Sequence, residues 1–140
     1  MQTMKTLVLY YSYTGHTRKI AADLAEKESA SIAEIKAEKR PGALKAYVSG
    51  SLAARRMKAW PIQPLGVDLS GYDRLFLLAP VWASFPAPYI NSVLETLPQG
   101  KQVYVKLVSG SGRSRCRERL EAAIKAKGCT VEGFEDIKEL

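Results

Sequence analysis

Ser12-Tyr13-Thr14-Gly15-His16-Thr17 is the first stretch whose residue types could do chemistry. The short hydroxyl side chains of Ser12, Thr14 and Thr17 surround a glycine, which lets a ligand approach the backbone closely. If a helix starts here, its first amide groups have no partner along the chain, and the positive end of its dipole favours an anion. A phosphate suits that set of donors without any charged side chain. The same residues equally make a polar turn with Thr17 as a helix cap. Their spacing is neither G-x-G-x-x-G nor G-x-x-x-x-G-K-[ST], which argues against a dinucleotide oxidoreductase of that type and against a P-loop nucleotidase. Two later stretches could contact a ligand. In Pro80-Val81-Trp82-Ala83 the indole could cover a planar ring while neighbouring amides bond the ring's polar edge. Ser109-Gly110-Ser111-Gly112 is a glycine-rich turn. A tryptophan that only packs, and a turn that only turns, are the plain alternatives. No side chain is assigned as an acid or base. Cys116, Cys129 and the single His16 make neither a C-x-x-C pair nor a metal cluster, so both thiols read as inert.

These three stretches need elements to position them. Thr6–Tyr11 is a short continuous apolar run rich in β-formers, which predicts a strand buried on both faces. Thr17–Lys27 places Ile20, Ala21, Leu24 and Ala25 on one helical face. Ala30–Glu38 reads as an edge strand and Ala43–Lys58 as a helix of mixed polarity, closed by Trp60-Pro-Ile-Gln-Pro64. Arg74–Ala79 is a second doubly apolar strand. A loop spans Pro80–Pro88, and Pro88 opens a helix over Tyr89–Leu97. Strand Lys101–Val108, loop Ser109–Ser114, helix Arg115–Lys127 and strand Cys129–Ile137 complete the chain. Alternation of strands and helices predicts an α/β domain with a parallel sheet and right-handed crossovers. Such a sheet binds its ligand beyond the carboxyl ends of its strands, where the strand order reverses. All three candidate stretches fall at that edge.

The chain has 140 residues, enough for one domain spanning 1–140, and its hydrophobic and charged fractions of 46% and 25% are those of a globular protein. No apolar run approaches the roughly 18 residues needed to cross a bilayer, and nothing at the start reads as a cleavable signal, so a cytoplasmic protein that does not span the membrane is expected. With 21 Lys+Arg against 14 Asp+Glu the net charge is +7. The basic clusters at Arg55, Arg56 and Lys58 and at Arg113, Arg115, Arg117 and Arg119 are not interleaved with aromatics, which argues against a nucleic-acid surface.

Ser-x-Thr-Gly-x-Thr directly after a first strand resembles the phosphate loop of the flavodoxin family. Tyr72-Asp73, Leu75-Phe-Leu-Leu-Ala-Pro-Val-Trp-Ala83 and Pro86-Ala-Pro88 are similar to the segment that ends that family's third strand and lines its flavin ring. Ser109-Gly-Ser-Gly112 falls where the third flavin loop follows the fourth strand. The resemblance runs from Lys5 to Ile137. It implies a flavodoxin-like three-layer sandwich with a five-stranded parallel sheet of order 2-1-3-4-5, FMN as cofactor, and electron transfer through the bound flavin, as a carrier or a small reductase. It further implies that Ser12, Tyr13, Thr14, Gly15, His16 and Thr17 hold the FMN phosphate, His16 through its backbone amide only. Pro80, Val81, Trp82 and Ala83 would contact the ring, with Ser109, Gly110, Ser111 and Gly112 beside it.

The sequence departs from that family in three ways. Electron-transfer flavodoxins are acidic, whereas this chain is basic, so an acidic redox partner or an anionic substrate is expected. A positive field would favour the reduced, anionic flavin and raise its potential. The third loop has no aromatic, which leaves one ring face open to a flat partner such as a nicotinamide or a quinone. The chain also stops about where the fifth strand ends, so a C-terminal helix is expected to be missing. Gln102, Tyr104 and Lys106 would then lie on a sheet face that is solvated or covered by a second subunit as a homodimer. A second reading is a degenerate flavodoxin-like module that binds no flavin and works through its basic surface. An intact Ser12/Thr14/Thr17 set is hard to explain on that second reading.

Overall fold

A computed structural model describes residues 4–139. Strand β1 (Thr6–Tyr10) is buried at every position, because it pairs in parallel with β2 (Ser31–Glu34) on one side and β3 (Arg74–Trp82) on the other. A strand flanked on both edges and covered on both faces has no solvent side, and the apolar run Thr6–Tyr10 meets that demand. β3 continues the sheet to β5 (Gln102–Ser109), and β5 to β6 (Thr130–Lys138), all in parallel. The order is β2-β1-β3-β5-β6, with the two-residue β4 (Phe85–Pro86) hairpinned back onto the end of β3. Leaving β4 aside, this is the predicted 2-1-3-4-5 order of a flavodoxin-like α/β fold. The order reverses between β1 and β3, which places a crevice at their carboxyl ends.

Helices sit on both faces. Helix α1 (His16–Glu28) packs Ala21 and Ala25 onto Val8, Tyr10, Phe76 and Leu78. On the other face lie the short helices α2 (Ala43–Lys45) and α3 (Ser51–Arg55), joined by a π-helical turn at Ala46–Gly50, with α4 (Tyr89–Glu95) and α5 (Arg117–Ala126). Ala54, Val93, Leu120 and Ile124 close the larger core there over Leu7, Leu75, Val103 and Val105. In β5, Val103, Val105 and Leu107 are buried while Gln102, Tyr104 and Lys106 are only half covered, as their alternation predicts. Tyr104 stacks on Phe76, and Lys106 pairs with Glu135 of β6 at 2.6 Å.

Two expectations need correction. The edge strand is four residues, not the nine of Ala30–Glu38. Beyond it, Ile35 turns into the core and Ala37 meets Ile62 through an isolated bridge. The segment Pro80–Pro88 is also not a simple loop. Pro80, Val81 and Trp82 extend β3, Phe85–Pro86 returns antiparallel, and only Ala83 and Ser84 form the turn. Proline fits in both strands because it lacks only the N–H, and its carbonyl remains free: Ala87 N–H donates to Pro80 O at 3.0 Å. Among the described residues no helix is long and apolar enough to cross a membrane.

Candidate cofactor site

The loop after β1 is shaped by Gly15, whose φ of 104° is closed to most other residues and which stands as N-cap of α1. Its N–H donates to Ser12 Oγ at 3.0 Å, folding the hydroxyl loop over the helix start. No side chain caps α1, and no acid stands in its first turn, so the amides of that turn lack the acceptor most helices supply for themselves. The plain-turn alternative makes Thr17 the helix cap. Thr17 lies inside the first turn instead and is buried.

His16 Nδ1 lies 3.0 Å from Thr14 Oγ1 and 2.7 Å from Glu139 Oε2. The shorter contact, to a carboxylate, places the ring proton on Nδ1. Nδ1 then cannot accept from Thr14, and the Thr14 hydroxyl proton is left for an anion. Unpartnered helix amides and the Thr14 hydroxyl fit a phosphate ester; the first turn of α1 has no acid of its own, and the Glu139 carboxylate at its start is bonded to His16.

The three predicted stretches meet at this edge. Tyr13 packs edge-on against Trp82, with centroids 5.8 Å apart, which joins the first to the second. Arg115 N–H donates to Ser84 O at 2.9 Å, joining the second to the segment after β5. Glu139, held by its own N–H to Ser109 O at 2.8 Å, brings the third back to His16 and the first. The third loop is tied by its own serines: Ser109 Oγ accepts from Gly112 N–H at 2.9 Å, and Ser111 Oγ from Arg113 N–H at 3.2 Å. Gly112 has a φ of 71°, and a Cβ there would come within 2.9 Å of Lys138, so glycine is required. Gly110 stands exposed beside Glu139.

Trp82 is half-buried and belongs to an aromatic cluster. Tyr11, Tyr13, Trp60 and Tyr89 all meet its indole edge-to-face, at 5.8 to 6.4 Å. One edge of the indole rests on Gly50, where a Cβ would come within 2.7 Å. What remains open lines a cleft of about 360 Å³ with Tyr13, Tyr47, Ser51, Val81 and Ala83. A second hollow of about 390 Å³ lies on the β2 side of the hydroxyl loop, between Ser12–Gly15 and the cations Arg18, Lys36 and Arg40. Larger hollows occur, one of about 650 Å³ along Ala59–Leu65 and one of about 520 Å³ around Lys5, Asp68 and Tyr72, but neither touches the hydroxyl loop or Trp82.

Sequence reasoning missed Tyr11, Trp60, Tyr89, Tyr47 and Arg40. Arg40 donates to Tyr13 O at 3.1 Å and lies 4.1 Å over the Tyr13 ring, which clamps the hydroxyl loop from 27 residues away. No local pattern encodes such a contact. Burial pushes the Tyr11 phenol far above the usual tyrosine range and raises Tyr89 as well, so both serve as neutral packing groups. Burial also pushes the Cys116 thiol up, away from reactivity, and Cys129 is buried with Sγ donating to Pro98 O at 3.1 Å.

The family profile described as flavodoxin matches residues 5–130. A search of curated proteins finds no match. Among solved structures, a flavoprotein from Lactobacillus acidophilus NCFM in complex with FMN aligns at TM-score 0.77 and 23% identity, over 94% of this chain and 92% of that one. The apo-form of the flavoprotein from Lactobacillus acidophilus NCFM aligns at TM-score 0.71 and 23% identity, over 97% and 95%. Two-electron reduced Megasphaera elsdenii flavodoxin aligns at TM-score 0.60 and 16% identity, over 96% and 87%. These neighbours share the fold. With the profile spanning the hydroxyl loop, the extended β3 and the third loop, the chain belongs to the flavodoxin family.

Proposed function

We propose that this protein binds FMN and passes electrons through it. The observation that carries the reading is the uncapped start of α1, folded under the Ser12–Gly15 turn at the sheet's reversal point and next to an aromatic-walled cleft. FMN supplies the redox chemistry when bound. The chain's part is binding and tuning. The amides of the first turn of α1 and the Ser12 and Thr14 hydroxyls hold the phosphate, and Trp82, Val81 and Ala83 wall the ring. The self-bonded Ser109–Gly112 turn closes the far side without an aromatic, leaving that ring face accessible to a flat donor or acceptor. An FMN complex in a structural neighbour and membership of the flavodoxin family support the same cofactor.

The test compares FMN with riboflavin, which lacks the phosphate. Titrating apoprotein and following flavin fluorescence, Thr14→Ala should weaken FMN by about tenfold and riboflavin hardly at all, the loss of one hydrogen bond to a charged group. Thr17→Ala should have the smaller effect, since its hydroxyl is buried. Equal losses for the two flavins would remove Thr14 from the phosphate site, and no saturable binding of FMN by the unaltered protein would remove the function.

A further inference from the structure

The segment from α2 to α3 is built inside out. Its small residues Ala46, Gly50, Ala53 and Ala54 are buried, whereas Leu44, Tyr47, Val48 and Leu52 are 76%, 79%, 57% and 49% exposed. A surface helix ordinarily turns its large apolar side chains to the core. Here the inward face must be small, because Trp82 and Trp60 press on Gly50. That explains the alanines but not the outward leucines, for which polar residues would serve equally in water. A contiguous outward apolar stripe is a contact surface.

The charges around the stripe say what covers it. From Lys39 to Val67 the chain has six Lys/Arg and no Asp or Glu. None of these six is in an ion pair among the described residues. Lys45, Arg55 and Arg56 stand on the helical segment itself, and Lys58 follows it. An apolar centre with a charged rim is the anatomy of a protein interface. A second copy would set these cations against their own kind, at a cost that grows with desolvation. One end of the stripe is also a wall of the ring cleft, through Tyr47, so an occupant seated there stands beside the proposed flavin. A bilayer gains nothing from that position, whereas a redox protein does.

We infer that the outward face of the segment 43–56 docks an acidic electron-transfer protein, whose apolar patch covers Leu44, Val48 and Leu52 and whose carboxylates meet Lys45, Arg55 and Arg56. The nature of what passes between the two rests on the FMN reading; the location of the surface does not. An acidic [2Fe–2S] ferredoxin is a suitable probe, and basic cytochrome c its counter-probe. Titrated at low salt into the isotope-labelled, FMN-loaded protein, the ferredoxin should shift backbone amide resonances centred on residues 44–56, and cytochrome c should not. Leu44→Ser with Leu52→Ser, and separately Arg55→Glu with Arg56→Glu, should abolish those shifts. Each pair should also slow electron passage from the reduced probe to the flavin by about tenfold, and the uncharged leucine pair should do so at unchanged FMN affinity. Shifts centred elsewhere, a preference for cytochrome c, or full rates in the leucine pair would overturn the proposal. So would sedimentation as a dimer that the leucine pair dissociates, which would assign the stripe to a second copy. Binding to phosphatidylserine vesicles that the same pair loses would assign it to a membrane. If the protein binds no FMN the redox reading fails, and the shift map of the flavin-free chain still decides whether this surface takes an acidic partner.

Discussion

Gly50 shows how one atom's worth of space sets the position of the proposed ring-contacting residue. A Cβ there would stand 2.7 and 2.8 Å from the Trp82 ring and 3.3 Å from Trp60. Trp82 cannot yield freely, because four other aromatic rings hold it edge-on. Gly50→Ala is therefore expected to cost about 1–3 kcal/mol, the usual range for overpacking, offset in small part by the better helix propensity of alanine. A lowered urea midpoint together with a shifted indole emission would show it; a stability gain would mean that the indole has room to move. At this scale the sequence was partly legible. Trp82 and the hydroxyl loop stand out by residue type and by their position after apolar strands. Gly50, Trp60 and Arg40 do not, because their importance comes from neighbours 22 to 32 residues away in the chain.

At the scale of elements, the hairpin joining β3 to β4 carries a stored cost. Ala83 and Ser84 occupy its two turn positions with φ of 53° and 75°. Two successive left-handed residues make the mirror-image turn that suits a right-twisted hairpin, a turn that Asn-Gly adopts readily and Ala-Ser does not. Nothing in Trp82-Ala-Ser-Phe85 reads as such a turn, which is why the segment is expected as a loop from sequence. The hairpin forms because Phe85 and Ala87 are buried in the core and Arg115 N–H holds Ser84 O. Replacing Ala83 with Asn and Ser84 with Gly should relieve that cost and raise unfolding stability by about 1 kcal/mol. Since Ala83 walls the ring cleft, FMN titration of the same variant reads whether the strained pair is tuned for the flavin: relief without any change in affinity means that it is not. The central strands were legible for the opposite reason. β1 and β3 are buried on both faces, so their composition alone declares them, whereas β2 at the edge and the π-helical turn at Ala46–Gly50 depend on packing that no local period reports.

For the whole molecule the decisive property is charge, which any sequence discloses but whose placement only the fold reveals. Most of the excess lies on one side of the ring cleft, along Lys39–Lys58, while Glu34, Glu121 and Glu135 are drawn into ion pairs elsewhere. A positive field stabilises an anion more than a neutral species, so FMN bound in that cleft should be easier to reduce to its anionic form than in an acidic protein of the same fold. Salt screens that field over a distance of about 10 Å at 0.1 M, and the sign follows. The midpoint potential of the bound flavin should fall as ionic strength rises, because screening removes a stabilisation of the reduced state. In a net-negative protein the same change would raise it. Arg55→Glu with Arg56→Glu, two surface changes that cut the charge of Lys39–Lys58 from +6 to +2, should lower the potential at low salt and flatten its salt dependence. Spectroelectrochemical titration at three salt concentrations measures both slopes. A potential that rises with salt in the unaltered protein would show that the flavin responds to nearer acidic groups, and the basic surface would then act on partners alone.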